Sequence, residues 1–121
     1  MIKFYGYKKC GTCRKAEKVL IENGAEYTFI DVTENPPTAS ALNKMVKQAN
    51  VEHKKLFNTS GVQYRELKIK DKLSGLTGAD IVQMLAENGR LIKRPLVTDG
   101  NSTTIGFKDD VFKAAWEIST K

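Results

Sequence analysis

Cys10-Gly11-Thr12-Cys13 holds both cysteines of the 121-residue chain, and the segments on either side of it decide the fold. Ahead of it, Ile2-Lys3-Phe4-Tyr5-Gly6-Tyr7 alternates and carries aromatic residues, the pattern of a short strand. Behind it, Arg14 to Asn23 sets Ala16, Val19 and Leu20 on one helical face and closes at Gly24. A Cys-x-x-Cys at a strand-to-helix corner puts its first sulfur where unpaired backbone N–H groups converge. A thiol there deprotonates more readily, and the thiolate is the attacking species in disulfide exchange. Two intervening residues bring Cys13 round one helical turn, within reach of a mixed disulfide formed at Cys10. Cys10 is thus the candidate nucleophile, Cys13 the candidate resolving thiol, and a Cys10–Cys13 disulfide the expected oxidised form.

Three other uses of two cysteines compete with this one. Buried, inert thiols fit poorly at a strand-to-helix corner. A closed structural zinc site wants four Cys or His ligands, and His53 is the only histidine, so no metal site is expected. A structural disulfide suits secreted domains, whereas this chain runs from Met1 straight into a strand and predicts no targeting segment. The expected compartment is the reducing cytoplasm.

Composition fits one compact unit with a core of its own: 40% of residues are hydrophobic and 28% charged. The apolar runs are only a few residues long, which predicts no membrane span. Twenty Lys and Arg against 14 Asp and Glu give a net charge of +6. The excess gathers near the motif, at Lys8, Lys9, Arg14, Lys15 and Lys18 with only Glu17 against it. That is either a solvated basic face or a field that lowers a thiol pKa and draws anionic thiols, oxyanions or acidic proteins. The cations form no stripe with interleaved aromatic residues, so direct nucleic-acid binding is not expected.

In order along the chain, Glu26 to Val32 is a second strand, and a helix between two strands implies a parallel βαβ unit. Asn35-Pro36-Pro37 then breaks the chain, and Thr38 caps a helix over Leu42, Met45 and Val46. A basic stretch (His53-Lys54-Lys55), Leu56-Phe57 and the turn-like Asn58-Thr59-Ser60-Gly61 follow. Tyr64 to Ile69 suggests a short helical piece, and Thr77-Gly78-Ala79-Asp80 opens a helix ending near Asn88-Gly89. Strand signals return at Leu91-Ile92. Leu96 to Phe107 reads as a hairpin turning near Asp99-Gly100, before a last helix with Val111, Phe112, Ala115 and Trp116 on a core-facing stripe. The expected fold is α/β: a thioredoxin-like mixed four-stranded sheet with helices on both faces. Residues 1–34 and 90–121 would form the thioredoxin-like part of a single domain, and residues 35–89 a helical insertion.

Lys93-Arg94-Pro95-Leu96-Val97 is the second informative stretch. Pro95 opens a strand, either as a plain structural proline or as a cis proline facing the dithiol, with nearby backbone groups left to pair with a thiol substrate. Arg94 would then direct a fixed positive charge at the thiolate or at an anionic substrate.

Together, Cys10-Gly11-Thr12-Cys13-Arg14-Lys15-Ala16, Leu56-Phe57-Asn58-Thr59-Ser60-Gly61 with Tyr64-Arg65-Glu66-Leu67, Lys93 to Val97, and Gly106-Phe107 resemble the ArsC/Spx superfamily over essentially the whole chain. That group holds glutaredoxin-linked arsenate reductases, reductase-like relatives and Spx transcriptional regulators. The resemblance implies a nucleophile at Cys10, a cis Pro95, Arg94 near the sulfur, and substrate contacts at Thr12, Arg94 and Pro95. It also implies a cytosolic thiol–disulfide oxidoreductase, with glutathione or thioredoxin as reductant and no bound cofactor. Its substrate would be a small thiol or a disulfide-bearing protein, and the chain would act as a monomer. The other reading is a redox-sensing regulator that binds the RNA polymerase α-subunit. Arsenate reductases of this type hold their oxyanion with two further arginines, whose matching positions here are Asn58 and one near Phe107, neither cationic. Cys13 instead resembles the redox pair of Spx regulators or the dithiol of glutaredoxin-like reductases.

Overall fold

The computed structural model describes residues 2–59 and 61–116. Ser60 of the expected Asn-Thr-Ser-Gly turn, and the ends of the chain, lie outside the described residues. Strand β1 (Ile2–Gly6) leads into helix α1 (Gly11–Glu22), and strand β2 (Tyr27–Asp31) returns parallel to β1. Helix α1 starts three residues earlier than its apolar spacing predicts, because Cys10 itself is the N-cap. Its C-terminal turn closes with Gly24 at φ +71°, a left-handed backbone that glycine adopts without a Cβ penalty.

Helix α2 (Ala39–Ala49) begins at Thr38, whose Oγ1 accepts the Ala41 N–H at 3.1 Å, and it ends at Asn50 in the left-handed region. A 3-10 turn (His53–Leu56), short helices α3 (Val62–Glu66) and α4 (Ile69–Lys72), and another 3-10 turn (Leu73–Gly75) lead to α5 (Gly78–Glu87). A reciprocal capping box between Thr77 and Asp80 opens α5. The strand signal at Leu91-Ile92 proves short: Gly89–Leu91 is a 3-10 turn, and Ile92 forms an isolated bridge with Phe57. Strands β3 (Leu96–Thr98) and β4 (Thr103–Ile105) form the expected hairpin, and α6 (Asp109–Trp116) follows. Asp99 Oδ1 accepts the N–H groups of Asn101 and Ser102 at the turn, with Gly100 at φ +94°.

The sheet order is β2-β1-β3-β4, with β1 antiparallel to β3 and β3 antiparallel to β4. This is the mixed four-stranded α/β sheet that the residue order implies. Alternation along the two central strands divides the core between the faces. Phe4 and Val97 point to one face, where Cys13, Ala16, Leu20, Phe112 and Trp116 from α1 and α6 cover them. Tyr5 and Leu96 point to the other face, against α2, α5 and the segments between them. Burying each large apolar side chain contributes about 1.5–3 kcal/mol, so both faces matter to stability.

One part of the core expectation needs correction. Of the α6 stripe, Phe112 and Trp116 are buried while Val111 and Ala115 are exposed. Phe112 and Trp116 form one i, i+4 row, and only that row reaches the sheet.

Candidate active site

The dithiol sits where β1 hands over to α1. The Cys10 N–H donates to the Tyr7 carbonyl at 3.0 Å, which turns the chain into the helix. As N-cap, Cys10 offers its sulfur to the first turn, and the Cys13 N–H donates to Cys10 Sγ at 3.4 Å. Both cysteines are free thiols, Cys10 half-buried and Cys13 only 1% exposed. Gly6 makes room for the second sulfur, since a Cβ there would lie 3.2 Å from Cys13 Sγ and 2.6 Å from the Phe4 ring.

The two thiols are driven in opposite directions. Burial raises the Cys10 pKa and is the largest single influence. The Cys13 thiol and N–H, the Arg94 charge and the Thr12 N–H together outweigh it and hold the group below the ordinary thiol value. Cys13 is pushed up to about 12, chiefly by burial and further by the neighbouring Cys10; a hydrogen bond with the Tyr7 backbone and the Arg94 charge oppose this without prevailing. Cys10 is therefore the readier of the two thiols to ionise, and Cys13 stays neutral.

The Arg94–Pro95 peptide is cis, and Pro95 is buried directly ahead of β3. The Pro95 carbonyl accepts the Gly106 N–H at 2.9 Å, so that backbone group already has a partner within the chain. Arg94 lies with its guanidinium carbon 5.6 Å from the Tyr7 ring centroid, and its charge acts on both thiols and on Asp31. Thr12 is exposed in the first turn of α1, and its backbone N–H turns towards Cys10. Lys8, Lys9, Arg14, Lys15 and Lys18 are all exposed, and none of them forms an ion pair among the described residues.

Beside Arg94 opens a cleft of about 260 Å³, walled by Tyr7 after β1, Thr33 after β2, Asn58 and Val62 from the central segment, and Arg90. Asn58, the position matched in sequence to an anion-holding arginine, lines this cleft, and so does Arg90, a second guanidinium that the sequence reading did not single out. Phe107 does not line it; the ring packs on Phe112 with centroids 5.2 Å apart. Arg90, Tyr7 and Thr33 carry no local motif. The one available hint is Gly89 after a capped helix end, which marks a close backbone approach. His53 lies elsewhere, its ring against Gly78 and its Nε2 2.8 Å from Asn43 Oδ1.

Among the described residues, no helix is long and apolar enough to cross a membrane. The chain is 48% identical over 113 residues to the uncharacterized protein YusI of Bacillus subtilis (strain 168), covering 93% of this chain and 96% of that one. The crystal structure of an ArsC family related protein from Bacteroides fragilis superposes with a TM-score of 0.89 at 40% identity, covering 94% of this chain and 96% of that chain. The global transcriptional regulator Spx 1 of Bacillus cereus is 24% identical over 110 residues, covering 91% of this chain and 82% of its own length. Residues 5–115 match the ArsC family model, and this chain belongs to the ArsC family.

Proposed function

We propose that the protein is a thiol–disulfide oxidoreductase in which Cys10 attacks, Cys13 resolves and Arg94 supplies the charge that favours the thiolate. The observation that carries this reading is the opposed condition of the two sulfurs on one helical turn: Cys10 capped and lowered, Cys13 buried and raised. In the first step the Cys10 thiolate displaces one thiolate from a disulfide and leaves a mixed disulfide on Cys10. Cys13 then gives up its proton and attacks Cys10 Sγ, releasing the second thiolate and closing Cys10–Cys13. Two electrons have passed from the protein to the substrate. An external thiol, glutathione or a thioredoxin-type dithiol, returns them. A dithiol that has to be reduced again after each turn suits the cytosol.

The test is turnover of a disulfide with glutathione supplied in excess, together with mass spectrometry of the cysteines. Steady turnover is expected, abolished in Cys10→Ser, while Cys13→Ser accumulates the mixed disulfide. Equal alkylation of the two cysteines at neutral pH, or intermolecular dimers as the main oxidised product, would overturn the assignment.

The match to Spx 1 supports a second reading, in which the same pair is a switch and the partner is the RNA polymerase α-subunit. A redox-dependent complex with that subunit, and no turnover, would favour it.

A further inference from the structure

Resting on the redox reading above, the geometry points to Arg90 and Arg94 as the two sides of a carboxylate subsite, so that the preferred substrates are low-molecular-weight disulfides bearing a carboxylate. The two arginines line one cleft of about 260 Å³, room for a carboxylate and a few further atoms. Neither forms an ion pair among the described residues. Arg94 is held over Tyr7, a contact that uses none of its five N–H donors. Two unpaired planar forks in one small cleft suit a planar carboxylate.

Arg90 is placed by its backbone. Gly89 lies so close to the stretch after β2 that a Cβ would run into the Val32 carbonyl. The Asn88 side-chain oxygen accepts the Arg90 N–H at 3.2 Å. The segment between the two arginines is tied to the central segment on both sides. Asn58 N–H donates to the Leu91 carbonyl and Lys93 N–H to the Leu56 carbonyl, each at 2.7 Å. The backbone that carries both arginines is therefore fixed, and the Arg94 guanidinium is further held over Tyr7, which lowers the cost of ordering that side of the subsite.

Charge sets the class of anion. Asp31 lies in the field of Arg94, its Oδ1 held by the Thr33 hydroxyl at 2.6 Å and the Thr33 N–H at 2.9 Å. With the Asp31 carboxylate and the Cys10 thiolate set against them, the two guanidinia leave no excess positive charge for a multiply charged oxyanion, and a single planar carboxylate is the anion their forks suit. Tyr7 ties the cleft to the dithiol, its ring under Arg94 and its carbonyl accepting the Cys10 N–H, so an anion held against Arg94 brings a disulfide towards the attacking sulfur. The exchange itself is unchanged: Cys10 takes the sulfur carrying the anchored carboxylate, the other half leaves as thiolate, and Cys13 releases the anchored half.

The experiment compares two probes, 3,3′-dithiodipropionate and the uncharged 2-hydroxyethyl disulfide, reacting with the reduced full chain. Loss of the free Cys10 thiol is followed in wild type, Arg90→Ala, Arg90→Lys and a charge control, Lys47→Gln, on the exposed side of α2. Arg90→Ala is expected to slow the dithiodipropionate reaction about tenfold and the neutral disulfide far less. Arg90→Lys should recover part of the loss, and Lys47→Gln should match wild type. Equal rates for both probes in wild type, or equal losses for Arg90→Ala and Lys47→Gln, overturn the subsite and leave the redox reading standing. If neither probe reacts, both fall. A third arm uses a peptide disulfide with Asp or Asn beside its cysteine. Dependence on Arg90 with the Asp peptide alone would move the preference to acidic protein segments and overturn the small-molecule assignment.

Discussion

Cys10 and Cys13 share one helical turn, yet their surroundings make them different reagents. Arg94 is part of that difference. Its charge on a partly exposed thiolate is worth about 1 kcal/mol after solvent and salt have acted. Arg94→Ala is therefore expected to raise the pH midpoint of Cys10 alkylation by somewhat under one unit and slow the reaction at neutral pH several-fold, with the circular dichroism unchanged. Arg94→Lys should recover most of the shift, and superimposed titration curves for all three proteins would refute it. Cys13 gives a second test. Its folded value, about 12, lies above the ordinary 9.0, so folding favours its neutral form. The stability this supplies is complete below pH 9.0 and is lost as pH rises from there to about 12. Across that interval the melting temperature of Cys13→Ala should fall less steeply than that of wild type, and parallel curves would contradict the burial argument. Of the residues at the site, the motif and its helix register bring out Cys10 and Cys13, and Lys93-Arg94-Pro95 brings out the third. Arg90 is invisible in sequence because its place depends on a backbone contact between residues 89 and 32, which no local pattern records.

The elements were easiest to read where a side chain governs a helix end. Thr38 and Thr77 cap α2 and α5 as their spacing suggests, since a hydroxyl accepting an N–H is a local interaction. The α6 stripe misled for the opposite reason: which of its two adjacent rows is buried depends on where the helix lies across the sheet, and Val111 and Ala115 fall on the open side. The 3-10 turn Gly89–Leu91 is another element defined by what it touches. Gly89→Ala would set a Cβ against the Val32 carbonyl and within 3.1 Å of Thr33 Cα. Backbone atoms yield less readily than a flexible side chain, so a cost of about 1–3 kcal/mol is expected. Urea unfolding would measure it. At concentrations where the variant stays folded, its displaced Arg90 should cost the charged disulfide more rate than the neutral one; an unchanged midpoint would show that the turn relaxes freely.

At the scale of the molecule, a net charge of +6 and an exposed basic cluster near Cys10, without ion pairs among the described residues, favour encounters with anions. The general part of that attraction is screened as ionic strength rises, whereas contacts made inside the cleft are screened less. The sheet adds an asymmetry of its own. β1, which leads to Cys10, lies between two neighbouring strands and carries core side chains on both faces, whereas Asn58, Val62 and Arg90 come from short turns and helices. Amides of β1 and β3 are accordingly expected to exchange with deuterium last, and those of the short helix α3 (Val62–Glu66) among the first. Warming would then blunt discrimination before it silences the sulfur. At temperatures just below global unfolding, Cys10 should still react with 2-hydroxyethyl disulfide while its preference for a charged partner has faded. The protein would pass through a window of indiscriminate chemistry, joining itself to whatever disulfide it meets.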